Sequence, residues 1–202
     1  MAGVPSPPVR DNDPGFPPAT AHTTLGTTKH PNIAGGSAAS PPPPSADPNR
    51  EVAMRLLIQR VTQASVRIDG EVVGEIGQGL LVLIGITAQD TPAIADRLIR
   101  KALDLRIFED DEGKMNRGVE EVGGGLLLVS QFTLYANCRK GRRPSFIDAA
   151  HPSIAEPLYE HCIRTAQASG LTVQTGRFGA DMKISLINDG PVTIMLDSAE
   201  LA

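Results

Sequence analysis

Short runs of apolar residues, separated by polar turns, recur along the chain after residue 53. Residues 55–61 are rich in Leu, Ile and Val and predict a first strand, and residues 80–86 form a continuous apolar run of strand length. Between these runs, Asp69-Gly70 separates two β-rich segments. This predicts a hairpin with a type I′ turn, because both central residues of that turn need positive φ. Further strands are predicted at residues 105–108, 171–173, 182–187 and 192–196.

Two segments have the spacing of amphipathic helices. Thr91 is a favourable N-cap and Pro92 suits the first helical position. The core-facing residues of this helix follow at helical spacing: Ile94, Ala95, Leu98, Ile99, Ala102 and Leu103. A capping-box pattern of Ser153 and Glu156 predicts the start of a second helix, in which Pro157 is expected in the first turn.

The alternation of these elements predicts an α/β fold, with a mixed, largely antiparallel β-sheet or barrel and two main helices. Residues 54–202 are long enough for a single domain with one core. By contrast, twelve of the 17 prolines lie in residues 1–53, which predicts a disordered, Pro-rich N-terminal tail. The alternative, that translation starts at Met54 and the tail is an upstream extension, stays open.

Composition narrows the classes of function. No apolar run approaches the ~20 residues that span a membrane, so no membrane association is predicted. Cys138 and Cys162 form no CxxC pair, and a reduced, cytoplasmic setting is predicted. The net charge of −4 does not indicate general affinity for nucleic acid, so any contact with RNA must come from a local patch.

Neither a metal nor an organic cofactor is predicted. The acidic residues 109–113 lack the spaced ligands of a calcium loop and predict a turn. Glycines 123–125 precede a strand and no GK[ST] follows them, which excludes a P-loop. His151 and His161 have no metal-ligand spacing with each other or with the cysteines.

The first candidate site is the segment Ser130, Gln131, Phe132 and Thr133, which continues the apolar run of residues 126–129. On a strand, Ser130 and Phe132 point to one face and Gln131 and Thr133 to the other. A nucleophilic hydroxyl needs a base within hydrogen-bonding reach, and the sequence has no GxSxG elbow and no evident Ser-His-Asp set. From residue types alone, such a segment is in most cases simply a strand that leaves the core.

The second candidate is Gly190-Pro191, inside residues 188–193. The local sequence predicts a turn between two strands, which needs no function. The dipeptide nevertheless presents rigid backbone carbonyls without an adaptable side chain. Such carbonyls can accept hydrogen bonds from an α-ammonium group and block one face of its Cα.

The main basic cluster follows the first candidate segment directly and comprises Arg139, Lys140, Arg142 and Arg143. Four cations in five residues usually form a solvated loop. Beside an active site that receives RNA, however, they suit contacts with phosphates, which position a ligand without reading its sequence.

The order of several short motifs along residues 54–202 resembles that of the D-aminoacyl-tRNA deacylases, also known as the D-tyrosyl-tRNA deacylase family. The matching stretches lie at residues 54–61, 114–116, 130–135, 143–146, 158–160, 178–182 and 188–193. The resemblance implies a homodimer in which a cis Gly190-Pro191 bond of one subunit faces residues 130–133 of the other. It also implies that Arg60 holds the Gly-Pro motif and that Phe178, Gly179 and Met182 line the pocket.

The activity implied by the resemblance is hydrolysis of the ester between a D-amino acid and tRNA, with glycyl-tRNA as a second substrate. The substrate's own 2′-hydroxyl would then activate water, and backbone N–H groups near Phe132 and Thr133 would stabilise the oxyanion. Thr133 as a covalent nucleophile is the competing mechanism, and a Cys138 thiolate is a weaker one. A non-catalytic RNA-binding module and a different esterase are the competing functions.

Overall fold

The computed structural model describes residues 53–201. The predicted tail, apart from residue 53, and the last residue lie outside this range. The described part folds as the sequence predicts, into two main helices and a mixed sheet with mostly antiparallel pairing. Within it, no helix is long and apolar enough to cross a membrane.

A long first strand, β1 (Arg55–Ile68), organises the sheet. It merges the predicted first strand with the first arm of the predicted hairpin. The hairpin continues in β2 (Glu71–Ile76), and φ is positive at both turn residues, 51° at Asp69 and 85° at Gly70, as predicted. The third strand is β3 (Gly79–Gly85), which pairs antiparallel with β1.

The first helix, α1 (Pro92–Leu103), begins as predicted. The Thr91 hydroxyl accepts a hydrogen bond from the Ile94 N–H at 3.4 Å, and Pro92 occupies the first helical position. A small hairpin of β4 (Phe108–Glu109) and β5 (Met115–Arg117) follows and encloses the predicted acidic turn.

The second helix, α2 (Pro152–Gln167), begins earlier than the capping box predicts. His151, and not Ser153, is its N-cap, because the His151 Nδ1 accepts the Ser153 N–H at 3.3 Å. Pro157 therefore lies inside the helix and not in its first turn. Since proline has no N–H, the helix lacks one hydrogen bond at this position, and the burial of the following Leu158 and Tyr159 against the core offsets this loss.

The remaining strands are β6 (Gly125–Ser130), β7 (Val173–Thr175) and β8 (Lys183–Asp197). The sheet order is β2-β1-β3-β6-β7. Strands β3 and β2 pair with successive halves of β1, residues 55–61 and 64–68, and β8 pairs along the opposite edge of β1, residues 55–67. The pairs of β1 with β2, β3 and β8 are antiparallel, whereas β3–β6 and β6–β7 are parallel. The sheet is therefore mixed, as predicted.

The predicted turn at residues 188–193 is wrong. Strand β8 continues through these residues because β1 pairs with it on both sides of them: Val61 pairs with Asn188 and Gln59 with Thr193. Four residues of β8, 189–192, thus oppose the single residue Arg60 of β1. The Gly-Pro dipeptide lies in an irregular bulge of one long strand.

Two hydrophobic clusters cover opposite faces of the sheet. Along β6, Leu126 and Leu128 belong to the cluster beneath the two helices, and Leu127 and Val129 belong to the other cluster. Because side chains alternate along a strand, the next residue, Ser130, points to the helix side where β6 ends.

Candidate functional site

A cavity of about 390 Å³ opens where β3 and β6 end, next to the start of α2. The parallel pairing of the two strands places Ile84 beside Ser130, and the Gln131 N–H donates to the Ile84 carbonyl at 2.7 Å. The predicted residues Ser130, Gln131 and Phe132 all line this cavity. Phe178 and Gly179, which the family resemblance implied as pocket residues, line it too.

The predicted strand ends at Ser130, so the expected alternation of residues 130–133 on two faces is wrong. A one-turn 3₁₀ helix, Phe132–Tyr135, follows and is called the 3₁₀ segment below. The turn directs Gln131 and Phe132 to the cavity together, and the Thr133 side chain is exposed outside it. The Gln131 side-chain amide donates a hydrogen bond to the Thr133 hydroxyl oxygen.

The first turn of the 3₁₀ segment leaves two backbone donors available. Among residues 53–201, neither the Phe132 N–H nor the Thr133 N–H donates a hydrogen bond. The first N–H groups of any helix lack partners within the helix. These two groups, on and next to the cavity-lining residue Phe132, are therefore available to donate to a ligand.

Aromatic and small apolar side chains form the rest of the cavity wall. The Phe132 ring is 59% exposed and meets Phe146 edge to face, with 5.2 Å between the ring centroids. Phe178 packs on the ring of Tyr159 at 6.0 Å. The residues that the sequence did not identify as lining the cavity include Ile84, Ile86, Ala149, Ala150, Pro152 and Ala155.

The cavity wall contains no titratable side chain. Every lining residue is aliphatic, aromatic, a proline, a glycine, a serine or a glutamine. The nearest phenol on the same segment, Tyr135, is buried, and this burial raises its pKa well above the usual value. Tyr135 is thus a hydrogen-bond donor at neutral pH and not a base.

Arg60 holds the bulge of β8 that carries the Gly-Pro dipeptide. Its guanidinium is only 5% exposed; Nε lies 2.8 Å from the Asp189 carboxylate and 3.3 Å from the Asp189 carbonyl oxygen. A third contact runs from Nη1 to the Ile107 carbonyl. The Gly190–Pro191 peptide bond is cis, as the resemblance implied.

The structure separates some of the predicted site residues from the cavity of the same chain. Gly190, Pro191, Arg60 and Met182 are not among its lining residues. Both residues of the dipeptide are exposed. Met182 packs against the cluster on the other face of the sheet, where its Sδ lies so close to Gly176 that a Cβ there would approach it to 2.5 Å.

The basic cluster lies on an exposed loop between the 3₁₀ segment and α2. Two backbone hydrogen bonds between Asn137 and Ser145, of 2.7 and 3.0 Å, close the base of this loop. The loop therefore joins the 3₁₀ segment to Phe146 at the cavity mouth. Cys138 is free and exposed on it, and Cys162 is free and buried on α2.

No metal site accompanies the cavity. In the described part of the chain, no group of three or more His, Cys, Asp and Glu residues is arranged to hold a metal ion. Within one subunit, the polar groups that line the cavity are the Ser130 and Gln131 side chains and the backbone.

Comparison with known proteins identifies a family. The family model described as D-Tyr-tRNA(Tyr) deacylase matches residues 57–197. A D-aminoacyl-tRNA deacylase of Thermomicrobium roseum is 58% identical over 148 residues, which cover 73% of this chain and 96% of that protein. A D-aminoacyl-tRNA deacylase of Roseiflexus castenholzii is 57% identical over 146 residues, which cover 72% of this chain and 93% of that protein.

Solved structures share the fold. The c-Myc DNA unwinding element binding protein is 39% identical, with a TM-score of 0.66, over 71% of this chain and 97% of that one. A probable eukaryotic D-amino acid tRNA deacylase superposes with a TM-score of 0.64 at 20% identity, over 72% of this chain and 99% of that one. The second likeness supports the fold alone.

Proposed function

The chain belongs to the D-Tyr-tRNA(Tyr) deacylase family, and on this ground we propose that it hydrolyses the ester joining a D-amino acid to the terminal ribose of tRNA. The products are free D-amino acid and tRNA, so the reaction proofreads chirality in translation. Glycyl-tRNA is the second substrate. The proposal places the protein in the cytoplasm, where charged tRNA is used, and two free cysteines are compatible with that compartment.

The observation that carries the mechanism is the pair of available N–H groups at the mouth of an uncharged cavity. An aminoacyl ester is already activated, so positioning and oxyanion stabilisation supply most of the catalysis. The N–H groups of Phe132 and Thr133 bind the oxyanion, and Ser130 and Gln131 orient the ester. The family resemblance implies that the 2′-hydroxyl of the terminal ribose activates the attacking water, and a cavity lining without a titratable side chain is compatible with this role.

Selection for handedness comes from the Gly-Pro dipeptide of a second subunit. The backbone carbonyls of Gly190 and Pro191 fix the α-ammonium group of the substrate, and the side chain of an L substrate collides with this wall. A steric collision rejects strongly, whereas added apolar contact discriminates by only ~1–3 kcal/mol. Glycine has no Cβ, so the wall does not exclude it.

The proposed homodimer is supported by the open edge of β8. Within the described residues this 15-residue strand pairs only with β1. Ile187 and Met195 on it are 53% and 45% exposed, and Gly190 and Pro191 are exposed between them. Exposed strand edges are normally covered, and a second copy of the chain covers this one while its dipeptide enters the neighbouring cavity.

The activity is tested by incubating the purified protein with D-tyrosyl-, L-tyrosyl- and glycyl-tRNA and measuring release of the amino acid. We expect release from the D-tyrosyl and glycyl substrates and none from the L-tyrosyl substrate. Release from all three indicates a different esterase. Binding of tRNA without any release indicates a non-catalytic RNA-binding module.

The role of the dipeptide is tested by Gly190→Ala. A Cβ at this position has room in its own subunit, since the nearest atom is the Asn188 Nδ2 at 3.4 Å. The added methyl group instead holds the wall away from the partner's substrate. We expect the ratio of kcat/KM for D- over L-tyrosyl-tRNA to fall about tenfold, which corresponds to ~1.4 kcal/mol. Gly77→Ala, at another exposed glycine with an open Cβ direction, should leave the ratio unchanged.

The basic loop binds the phosphates of the acceptor end of tRNA. Lys140→Gln should raise KM for D-tyrosyl-tRNA and leave kcat unchanged. It should also reduce the slope of log affinity against log salt concentration by about 0.7–0.9 for each phosphate that the variant no longer neutralises. Lys101→Gln, at an exposed lysine on α1, is the matched control and should change neither quantity. An equal effect of both substitutions would contradict a specific role for the loop.

A further inference from the structure

An arginine at the start of β1, which does not line the cavity, contacts the 3₁₀ segment. The Arg55 Nη1 donates to the Leu134 carbonyl at 3.1 Å, and Nε lies 3.0 Å from the Asp197 carboxylate at the end of β8. The same guanidinium lies over the ring of Tyr135, with Cζ 5.1 Å from the ring centroid. One side chain thus connects β1, β8 and the last two residues of the 3₁₀ segment.

Tyr135 completes this attachment. Its side chain is buried, and its hydroxyl oxygen lies 2.7 Å from the Ala53 carbonyl oxygen and 3.1 Å from the Gly85 carbonyl oxygen, which share its single hydrogen. The ring lies so close to the end of β3 that a Cβ at Gly85 would approach Cε2 to 2.9 Å. The hydroxyl and the ring therefore fix the distance between the 3₁₀ segment and the two strands beside it.

We propose that Arg55 and Tyr135 are positioning residues for ester hydrolysis, because they fix the 3₁₀ segment that carries the oxyanion donors. This inference rests on the proposed function. Neither residue lines the cavity, so each acts through the backbone of residues 132–135. Arg55 binds Leu134, the residue after the second proposed donor, and Tyr135 is the next residue of the same turn.

The contacts of residue 55 require an arginine side chain. The planar guanidinium contacts a carbonyl and a carboxylate at once while its face stacks on an aromatic ring. A lysine at residue 55 keeps the positive charge opposite Asp197 but has one ammonium group for both acceptors and no planar face. Arg55→Lys therefore preserves the charge and loosens the 3₁₀ segment.

The test compares kcat and KM for D-tyrosyl-tRNA in the full-length wild type, Arg55→Lys and Tyr135→Phe. A displacement of about 1 Å in a reacting geometry can cost ~10²-fold in rate. We expect kcat to fall by about tenfold or more in both variants with KM within about twofold. Amide hydrogen exchange at Leu134 and Ala136, whose N–H groups donate to the Gln131 and Thr133 carbonyls, should become faster in both, which reports the loosening without reference to activity.

Two control variants remove the same kinds of group elsewhere. Arg67→Lys changes another arginine of β1, which is exposed and whose guanidinium, among the described residues, forms a hydrogen bond only with the Gly70 carbonyl, at 3.4 Å. Tyr159→Phe removes the other tyrosine hydroxyl of the chain, which is buried and donates to the Leu128 carbonyl at 2.8 Å. Both controls should retain the wild-type kcat, even where Tyr159→Phe lowers the free energy of unfolding as much as Tyr135→Phe does.

The outcomes separate this inference from the function on which it rests. Wild-type protein that releases nothing from D-tyrosyl-tRNA overturns the proposed function, and hydrogen exchange then still reports whether the two residues hold the segment. An active wild type whose Arg55→Lys and Tyr135→Phe variants keep kcat within about twofold overturns the inference alone. So does a loss of kcat that follows stability equally in Tyr135→Phe and Tyr159→Phe.

Discussion

The Thr133 hydroxyl is the side-chain group next to the proposed oxyanion donors, yet within residues 53–201 no base forms a hydrogen bond with it. Its oxygen accepts a hydrogen bond from the Gln131 amide, which is a donor and cannot take a proton. No titratable side chain lines the neighbouring cavity. A covalent nucleophile of the hydroxyl type needs an adjacent base, so the site favours positioning over covalent catalysis.

We therefore expect Thr133→Ala to keep kcat on D-tyrosyl-tRNA within about tenfold of wild type. Removing a covalent nucleophile costs far more, on the order of 10⁶-fold in kcat in a serine protease. Single-turnover rates measure the chemical step directly. A loss of about 10³-fold or more in a variant with an unchanged circular dichroism spectrum, recovered in Thr133→Ser, would establish the covalent mechanism instead.

At the scale of elements, the site depends on the close parallel approach of β3 and β6, which brings Ile84 beside Ser130. At the other end of this pair, two glycines face each other, Gly79 on β3 and Gly125 on β6. A Cβ at residue 79 would lie 1.9 Å from the Gly125 carbonyl oxygen, which is backbone and cannot move aside alone. The pair can pack this closely only because residue 79 has no side chain.

Gly79→Ala should accordingly lower the free energy of unfolding by about 3 kcal/mol or more, at the upper end of the cost of overpacking. Urea denaturation measures this change. Gly77→Ala adds the same methyl group two residues away, where nothing lies within 4 Å, and should stay within about 0.5 kcal/mol of wild type. Equal stability of the two variants would show that the strands can separate without cost.

The two helices are joined by a polar cluster around Asp96 of α1. Its Oδ1 accepts a hydrogen bond from the Thr165 hydroxyl at 2.6 Å and lies 2.8 Å from the His161 Nε2. Both of these residues belong to α2. The hydrogen bond from Thr165, followed by that from His161, lowers the pKa of the Asp96 carboxyl below its ordinary value of 3.8. A carboxyl with a depressed folded-state pKa stabilises the fold above its unfolded pKa and loses this contribution as pH falls through the folded value.

Asp96→Asn should therefore be less stable than wild type at pH 7, and the difference should shrink as the pH falls below about 4. Urea unfolding at pH 7 and pH 3 measures both points. Asp181→Asn removes an exposed carboxylate that pairs with Lys183 at the surface and should change stability little at either pH. A deficit of Asp96→Asn that does not vary with pH would contradict the role of the charged carboxylate.

Short sequence patterns correctly predicted some boundaries that depend only on adjacent residues, such as a helix cap and a hairpin turn. Thr91-Pro92 located the start of α1, and Asp69-Gly70 located the hairpin turn. Residues 188–193 misled, because Asn, Asp, Gly and Pro favour turns locally, whereas pairing with β1, more than 120 residues earlier, makes them part of a strand. Tertiary pairing of this kind leaves no trace in local periodicity.

The sequence likewise identified some of the residues that line the cavity and missed others. Ser130, Gln131 and Phe132 were identified because polar residues follow a buried apolar run, and they line the cavity. The 3₁₀ turn after them was missed, since Phe-Thr-Leu-Tyr has the composition of a strand. Phe146 lies in a matching stretch of the family and could have been proposed. Ala149 and Ala150 carry no chemical signal, because their contribution is the space they leave.

At the scale of the whole molecule, one chain carries two halves of the proposed site at separate places. The cavity at the end of β6 lacks the Gly-Pro dipeptide, which lies exposed on the open edge of β8. Arg60 is buried beneath the dipeptide and holds it through Asp189. A dipeptide fixed so firmly at the surface is placed to act on a neighbour, and a two-fold dimer provides both subunits with the same contact.

Subunit mixing tests this arrangement. Ala149→Trp fills the cavity from its lining. Gly190→Trp adds a ring to the exposed dipeptide, where the nearest atom of its own subunit to a Cβ is the Asn188 Nδ2 at 3.4 Å. Each variant alone should form an inactive homodimer. A heterodimer of the two, purified through two different affinity tags, retains one site with an unaltered cavity and an unaltered dipeptide.

If the dipeptide acts on the partner, as proposed, this heterodimer should hydrolyse D-tyrosyl-tRNA at about half the rate of the wild-type dimer, which has two such sites. If the dipeptide served the cavity of its own chain, every site in the heterodimer would carry one substitution and no activity would return. A monomeric wild type in sedimentation experiments, active at the same concentration, would exclude the shared site altogether.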